Sequence, residues 1–124
     1  TQPHQDWQYI RGSPEALTSW IPLGDCRRDL GGLAVLPGSH RLGFREHQRT
    51  TGAGGMGLAV DALGLPWHAA DYRLGDVLLF SALTIHAALP NRTARMVRLS
   101  ADFRYQRPDE AIDPASLRHH FDLD

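Results

Sequence analysis

The chain has 124 residues, 42% of them hydrophobic, and its 13 Lys and Arg against 14 Asp and Glu leave a formal net charge of −1. That is enough for one soluble domain with a modest core; it lacks the basic surplus that nucleic-acid binding draws on, and no apolar run approaches the ~20 residues of a membrane span. Cys26 is the single cysteine, so an internal disulfide is excluded and a reducing, cytoplasmic setting is expected.

Thr1-Gln2-Pro3 carries no signal-peptide pattern, and His4-Gln5-Asp6 follows at once. In a strand, residues i and i+2 share a face, so His4 and Asp6 are expected to project into one pocket. Trp7-Gln8-Tyr9-Ile10 would continue that strand to a turn at Gly12-Ser13-Pro14. Further strands are predicted over residues 16–23 and 32–36, separated by a charged loop, 24–30. In that loop Arg27 and Arg28 would lower the pKa of the Cys26 thiol, although a lone loop thiol is read as incidental. Pro37-Gly38-Ser39 is a turn by composition, which assigns His40 a structural, polar role.

Residues 42–64 carry most of the irregularity, with Thr50-Thr51-Gly52-Ala53-Gly54-Gly55-Met56-Gly57 a flexible loop. It lacks the Gly-Lys-Ser/Thr ending of a phosphate cradle, and no strand is predicted to lead into it. Long loops often serve as lids or binding loops; simple mobility is the alternative. His47 and His68, within or beside this region, are assigned no metal-binding role.

Pro66-Trp67-His68-Ala69-Ala70-Asp71-Tyr72 leads into a turn at Arg73-Leu74-Gly75-Asp76. The apolar run Val77-Leu78-Leu79-Phe80 then enters a strand through Thr84-Ile85-His86-Ala87-Ala88-Leu89. After a turn at Pro90-Asn91, the run from Arg95 to Tyr105 alternates, with Arg98, Ser100, Asp102 and Arg104 on one face and Val97, Leu99, Ala101 and Phe103 on the other. If buried, an arginine-lined face needs an anionic partner, such as a dicarboxylate held by a bidentate guanidinium fork; a solvated sheet face is the alternative. Beyond Arg107-Pro108 the composition turns to Asp, Glu and Pro, and a short helix is predicted over residues 114–121, where Pro114 suits the first turn. His119-His120 is read as surface tail, because adjacent residues diverge on a helix.

Two imidazoles and one carboxylate can take three adjacent positions around an octahedral metal and leave the opposite positions open, the arrangement of non-haem Fe(II) oxygenases. His4, Asp6 and, eighty residues later (86 minus 6), His86 supply such a set. Taken singly, His-x-Asp recurs by chance and a buried His is more often a core residue; their order, with the arginines that follow, carries the argument.

At these residues the chain resembles the phytanoyl-CoA dioxygenase-like family of Fe(II)/2-oxoglutarate-dependent oxygenases. The matching segments are Pro3-His4-Gln5-Asp6, Trp20-Ile21-Pro22-Leu23, Gly31 through Arg41, Gly75-Asp76-Val77-Leu78-Leu79-Phe80, His86, Pro90-Asn91-Arg92-Thr93 and Arg98 through Gln106. The resemblance implies an all-β fold, a double-stranded β-helix (jelly roll, cupin-like). It implies residues 1–107 as the C-terminal part of that domain, 108–124 as a tail, and helices and a first strand upstream of the metal motif. It further implies that His4, Asp6 and His86 bind Fe(II), that Arg98 pairs with the distal carboxylate of 2-oxoglutarate, and that Trp20 helps to wall the cosubstrate pocket. Arg98 follows His86 by twelve residues (98 minus 86) and Arg95 by nine (95 minus 86), on either side of the family's usual spacing; Arg98 is preferred because it opens the Arg-Leu-Ser-Ala-Asp-Phe-Arg-Tyr-Gln stretch. With O2, such an enzyme hydroxylates a small molecule and releases succinate and CO2, and Asp6, where related halogenases carry a small residue, argues for hydroxylation. Alternatives are a Zn2+ hydrolase or isomerase on a similar barrel, using the same three ligands without an arginine-lined pocket, and a non-catalytic jelly-roll fragment.

Overall fold

The computed structural model describes residues 1–118. Eight short strands carry the fold: β1 (Leu17–Pro22), β2 (Leu33–Val35), β3 (Gln48–Arg49), β4 (Met56–Gly57), β5 (His68–Ala69), β6 (Leu78–Ser81), β7 (His86–Ala88) and β8 (Ser100–Tyr105). β6, β1 and β8 form one antiparallel sheet in that order, and β5, β2 and β7 form a second. Side chains from both sheets meet in one core of Trp20, Cys26, Leu30, Leu33 and Phe80, with Tyr72, Leu78 and Ala88 packed on it. Two antiparallel sheets closed over a shared interior make this the jelly roll expected from the sequence. Among the described residues, no helix is long and apolar enough to cross a membrane.

Strand pairing sets which side chains reach that interior. Within the first sheet Thr18 lies opposite both Phe80 and Arg104, and Trp20 opposite both Leu78 and Asp102. Thr18, Trp20, Asp102 and Arg104 therefore share one face, and the alternate residues Leu17, Leu79, Phe103 and Tyr105 share the other, where all four are exposed. The inner face thus combines core side chains (Trp20, Leu78, Phe80) with polar ones (Thr18, Asp102, Arg104), while the outer face leaves apolar side chains exposed.

Several local expectations are corrected. Residues 7–10 do not continue a strand; Trp7–Ile10 form a single helical turn, α1. Asp6 has φ −58° and ψ −33°, and its carbonyl accepts from the N–H groups of Tyr9 and Ile10. Extended pairing stops after the bridge between His4 and His86, and the chain turns to satisfy its backbone locally. The apolar run before His86 does not enter the same strand either: β6 and β7 lie in different sheets, separated by a turn in which Thr84 N–H donates to the Ser81 carbonyl at 2.8 Å. Sheet pairing of the arginine run begins only at Ser100, since Asn91 and Thr93 hold residues 91–96 in a side-chain-capped loop.

The glycine-rich segment is the turn of the β3–β4 hairpin, so a short strand does lead into it, and Thr50 N–H closes it on the Gly55 carbonyl. Its glycines permit close approach: a Cβ on Gly52 would lie 2.9 Å from the Gln2 side chain, and one on Gly54 3.0 Å from the Tyr9 hydroxyl. The segment after β8 contains a 3-10 turn at Pro114–Leu117, capped by the Asp113 carboxylate accepting from Ala115 N–H. His119, His120 and Phe121 lie outside the described residues.

Candidate metal centre

The first motif is delivered by two kinds of backbone. His4 is extended and exchanges a pair of hydrogen bonds with His86, each 3.0 Å, so the two residues face one another across an antiparallel bridge. Their rings stand 4.3 Å apart. Asp6 arrives from the turn into α1. Gln5 points the opposite way into a fully buried position, where Nε2 donates to the carbonyls of Gly43 (2.9 Å) and Leu83 (2.7 Å) and Oε1 accepts from Arg45 N–H (2.8 Å). Buried His47 completes the clamp: its Nε2 accepts from Gln5 N–H at 3.0 Å, and Nδ1 donates to the Arg45 carbonyl at 2.9 Å.

The structure brings one ligand atom each from His4, Asp6 and His86 within 4.8 Å of one another. Nδ1–H of His4 donates to the Gln2 carbonyl (2.7 Å) and Nδ1–H of His86 to the Thr84 carbonyl (3.0 Å). When neutral, each ring is thereby held in the tautomer that leaves Nε2 as the free lone pair. These two nitrogens lie 3.8 and 3.4 Å from the same Asp6 Oδ1. Adjacent ligands of an octahedral ion with bonds of about 2.1 Å sit roughly 3 Å apart, so each histidine nitrogen is within an ångström of the separation from Asp6 Oδ1 that a shared divalent ion would impose.

Electrostatics fits the same use. Burial, reinforced by His86, pushes His4 down from 6.5 to about 4, so its imidazole is neutral at neutral pH. Burial would raise Asp6, but hydrogen bonding and charge from His86, then Arg104 and the Thr18 hydroxyl, hold it at about 2. A neutral imidazole beside an ionised carboxylate is a ligand pair rather than an ion pair. Asp6 Oδ2 is held separately, accepting from Thr18 Oγ1 at 2.6 Å and lying 3.1 Å from an Arg104 guanidinium nitrogen. One carboxylate oxygen is therefore anchored and the other directed at the histidines.

A cavity of about 150 Å³ opens on the three residues and is lined also by Trp20, Arg98, Ser100, Asp102 and Arg104. The polar alternation of residues 98–104 thus faces the candidate centre. Arg98 donates from Nε to the Gly31 carbonyl (2.8 Å) and from a terminal nitrogen to Ser100 Oγ (2.5 Å), with its guanidinium carbon 5.4 Å from the Trp20 ring. Trp20 is both a core residue and a platform under that guanidinium. Arg95 is exposed and is not among the residues lining this cavity.

Elsewhere, His40 is exposed in the turn after Gly38, and His68 is exposed on β5. The expected lowering of the Cys26 thiol is overturned: burial pushes it up, while Arg27 and Arg28 are engaged with Asp29 and Asp71. Gln5, Thr18 and His47, which hold the ligands from behind, carry no local signal, because the contacts Thr18–Asp6, Gln5–His47 and Gln5–Leu83 span 12, 42 and 78 residues of chain.

A family model described as phytanoyl-CoA dioxygenase matches residues 1–99. The chain is 39% identical over 130 aligned positions to 1-deoxypentalenic acid 11-beta-hydroxylase from Streptomyces arenae, and 37% identical to the protein of that name from Streptomyces exfoliatus. Each match covers 98% of this chain and 44% of the relative, so the chain spans less than half the length of these relatives. Among solved structures it is similar to SnoN, a non-heme alpha ketoglutarate dependent epimerase from nogalamycin biosynthesis, with a TM-score of 0.69 and 28% identity over 94% of this chain and 42% of that one. A structure of SnoN in complex with Fe3+, alpha ketoglutarate and nogalamycin RO matches with a TM-score of 0.70 and 27% identity, covering 92% of this chain and 44% of that one.

Proposed function

The chain belongs to the phytanoyl-CoA dioxygenase family, and on that premise we propose that it is the metal- and cosubstrate-binding portion of a non-haem Fe(II)/2-oxoglutarate-dependent dioxygenase acting on a small organic molecule. The relatives named as hydroxylases and the intact carboxylate at Asp6 support hydroxylation as the outcome. When bound, Fe(II) with 2-oxoglutarate and O2 supplies oxidative decarboxylation to succinate and CO2 coupled to insertion of oxygen into a C–H bond.

The chain's own residues do the rest. His4, Asp6 and His86 would hold the ion through Nε2, Oδ1 and Nε2, a three-ligand set that would leave it free to take cosubstrate and O2. The Gln2 and Thr84 carbonyls keep both imidazoles oriented, and Thr18 and Arg104 keep the Asp6 carboxylate from rotating away. Arg98 meets the far carboxylate of 2-oxoglutarate. Two of its five N–H donors are spent on Gly31 and Ser100, which aims the guanidinium without exhausting it.

The observation that carries this reading is that Arg98 lines the same small cavity as the three ligands. A zinc hydrolase would have no use for it. Anaerobic titration with Fe(II) and then 2-oxoglutarate, followed by the weak visible charge-transfer band, is the test. The band is expected at one equivalent of each, with iron binding abolished in His4→Ala and in His86→Ala. Stoichiometric iron retained in either variant refutes the triad, and a metabolite screen scored by succinate release then searches for the substrate.

A further inference from the structure

The outer face of the β6-β1-β8 sheet carries no charge. On that side, turned away from the metal centre, Leu17 lies between Ser81 and Tyr105, and Ser19 between Leu79 and Phe103. One pleat further Ile21 stands beside Ala101, and past the strand ends Leu23 N–H donates to the Leu99 carbonyl at 3.0 Å, which continues the same register. Val77, next to Leu78, falls on this side by alternation. Across three strands no position on the outer side holds Asp, Glu, Lys, Arg or His, whereas the inner side holds Asp102 and Arg104.

The face is open as well as apolar. Seven of its side chains, from Leu17 at the least to Leu99 at the most, keep 40 to 67% of their surface. With about 180 Å² for a whole side chain of this size, that leaves roughly 700 Å² of apolar surface, above the ~300–600 Å² of the largest patch on an ordinary monomer and close to the ~800 Å² that each partner gives to a stable interface. Covering it costs little at its centre, because Ser19 Oγ is already buried and has no hydrogen-bond partner among the described residues.

The absence of charge also says which partner fits. An isologous interface sets a surface against its own copy, so any charge near the two-fold axis meets its like and is penalised. This face has none to repel, and it offers no charged anchor by which a different, charged partner would be selected. Two such sheets pack face to face ~10 Å apart with their strands ~30° from parallel.

We propose that two copies of this chain pair back to back through the outer face of the β6-β1-β8 sheet, as a two-fold dimer with both metal cavities opening away from the interface. The inference goes beyond the dioxygenase reading and does not depend on it, since the face lies across the sheet from His4, Asp6 and His86.

Sedimentation velocity of the chain from about 1 to 100 μM is the test, and a monomer–dimer equilibrium with dimer predominant at the upper end is expected. Leu79→Glu and Phe103→Glu should each weaken the dimer at least about tenfold, and the double variant should be monomeric throughout. A second double variant, Leu79→Lys with Phe103→Lys, should be monomeric too, and mixing the two doubles in equal amounts should restore a dimer, which a fault in folding would not do. Leu42→Glu, on an exposed side chain outside this face, should leave the equilibrium unchanged. Because every substituted side chain is exposed, circular dichroism and Mn(II) titration should match the parent in all of them. A parent that stays monomeric overturns the proposal and gives the face to a different polypeptide, such as the stretch by which the relatives exceed this chain. A dimer that survives both doubles places the contact elsewhere, for instance on a sheet edge, and overturns it as well. Loss of Fe(II) binding with the dimer intact would remove the dioxygenase reading and leave this one standing.

Discussion

Gln5 sits between two candidate ligands, and replacing it tests whether the motif is held from behind. Gln5→Leu keeps the size and removes three hydrogen bonds at once, those to the Gly43 and Leu83 carbonyls and from Arg45 N–H. Their partners are only partly buried, so each lost bond falls near the lower end of the ~1–3 kcal/mol for an abandoned polar group. The sum is about 2–4 kcal/mol, or a fall of about 1–2 M in the urea midpoint for a slope near 2 kcal/mol/M. Freed from the clamp, the backbone between His4 and Asp6 can shift, and divalent-ion affinity should fall about tenfold, the low end for loss of an outer support. Urea unfolding followed by tryptophan fluorescence, with Mn(II) titration alongside, measures both. A variant within about 0.5 kcal/mol of the parent, with unchanged Mn(II) affinity, would refute the reasoning and make Gln5 mere filler.

Thr18→Val preserves shape and removes the 2.6 Å hydrogen bond to Asp6, so Fe(II) affinity should drop about 10-fold or more; an unchanged Kd by anaerobic titration would show that Arg104 alone holds the carboxylate. Arg98→Ala should raise the 2-oxoglutarate requirement and leave Fe(II) binding intact, and if Arg95→Ala does so instead the register is wrong. Acid should destabilise the metal-free chain in a defined window. His4 binds its proton near 4 when folded against 6.5 in the reference state, so the unfolded chain takes up more protons between those values. Stability is fully present above 6.5 and falls as the pH drops to 4, by about 3 kcal/mol at ~1.4 kcal/mol per unit, after which this contribution is constant. Asp6, depressed to about 2, adds a further loss below 3.8. Unfolding free energies at pH 7, 5 and 4 that do not decline would contradict the burial assigned to His4.

What the sequence made legible follows from which physical rules are local. Alternation is a property of extended backbone, so the shared face of Ser100, Asp102 and Arg104 could be read without coordinates, and the strands at Leu17–Pro22 and Leu33–Val35 lie within the predicted spans. The same rule misled at Trp7, where one backbone bridge ends the extended stretch and a helical turn satisfies the next N–H groups. It misled again before His86, because an apolar run reads identically whether it feeds the next strand or belongs to the opposite sheet. Gln5 and His47 were invisible for another reason: an amide or an imidazole in a polar loop looks the same buried or exposed, and only the folded partners distinguish the cases. The segment after Arg107 reads as a tail by composition, yet Gln106, Glu110 and Ser116 tie it to the body through contacts that composition does not encode.

The paired backbone hydrogen bonds between His4 and His86 have a consequence for how an ion comes and goes. Two donors more than eighty positions apart along the polymer are made neighbours by main-chain pairing, so their gathering does not wait for a cation. Chelation should empty an assembled socket rather than unravel it, and different divalent ions should exchange through it reversibly, with the melting curve moving only by the mass-action term of whichever one is present.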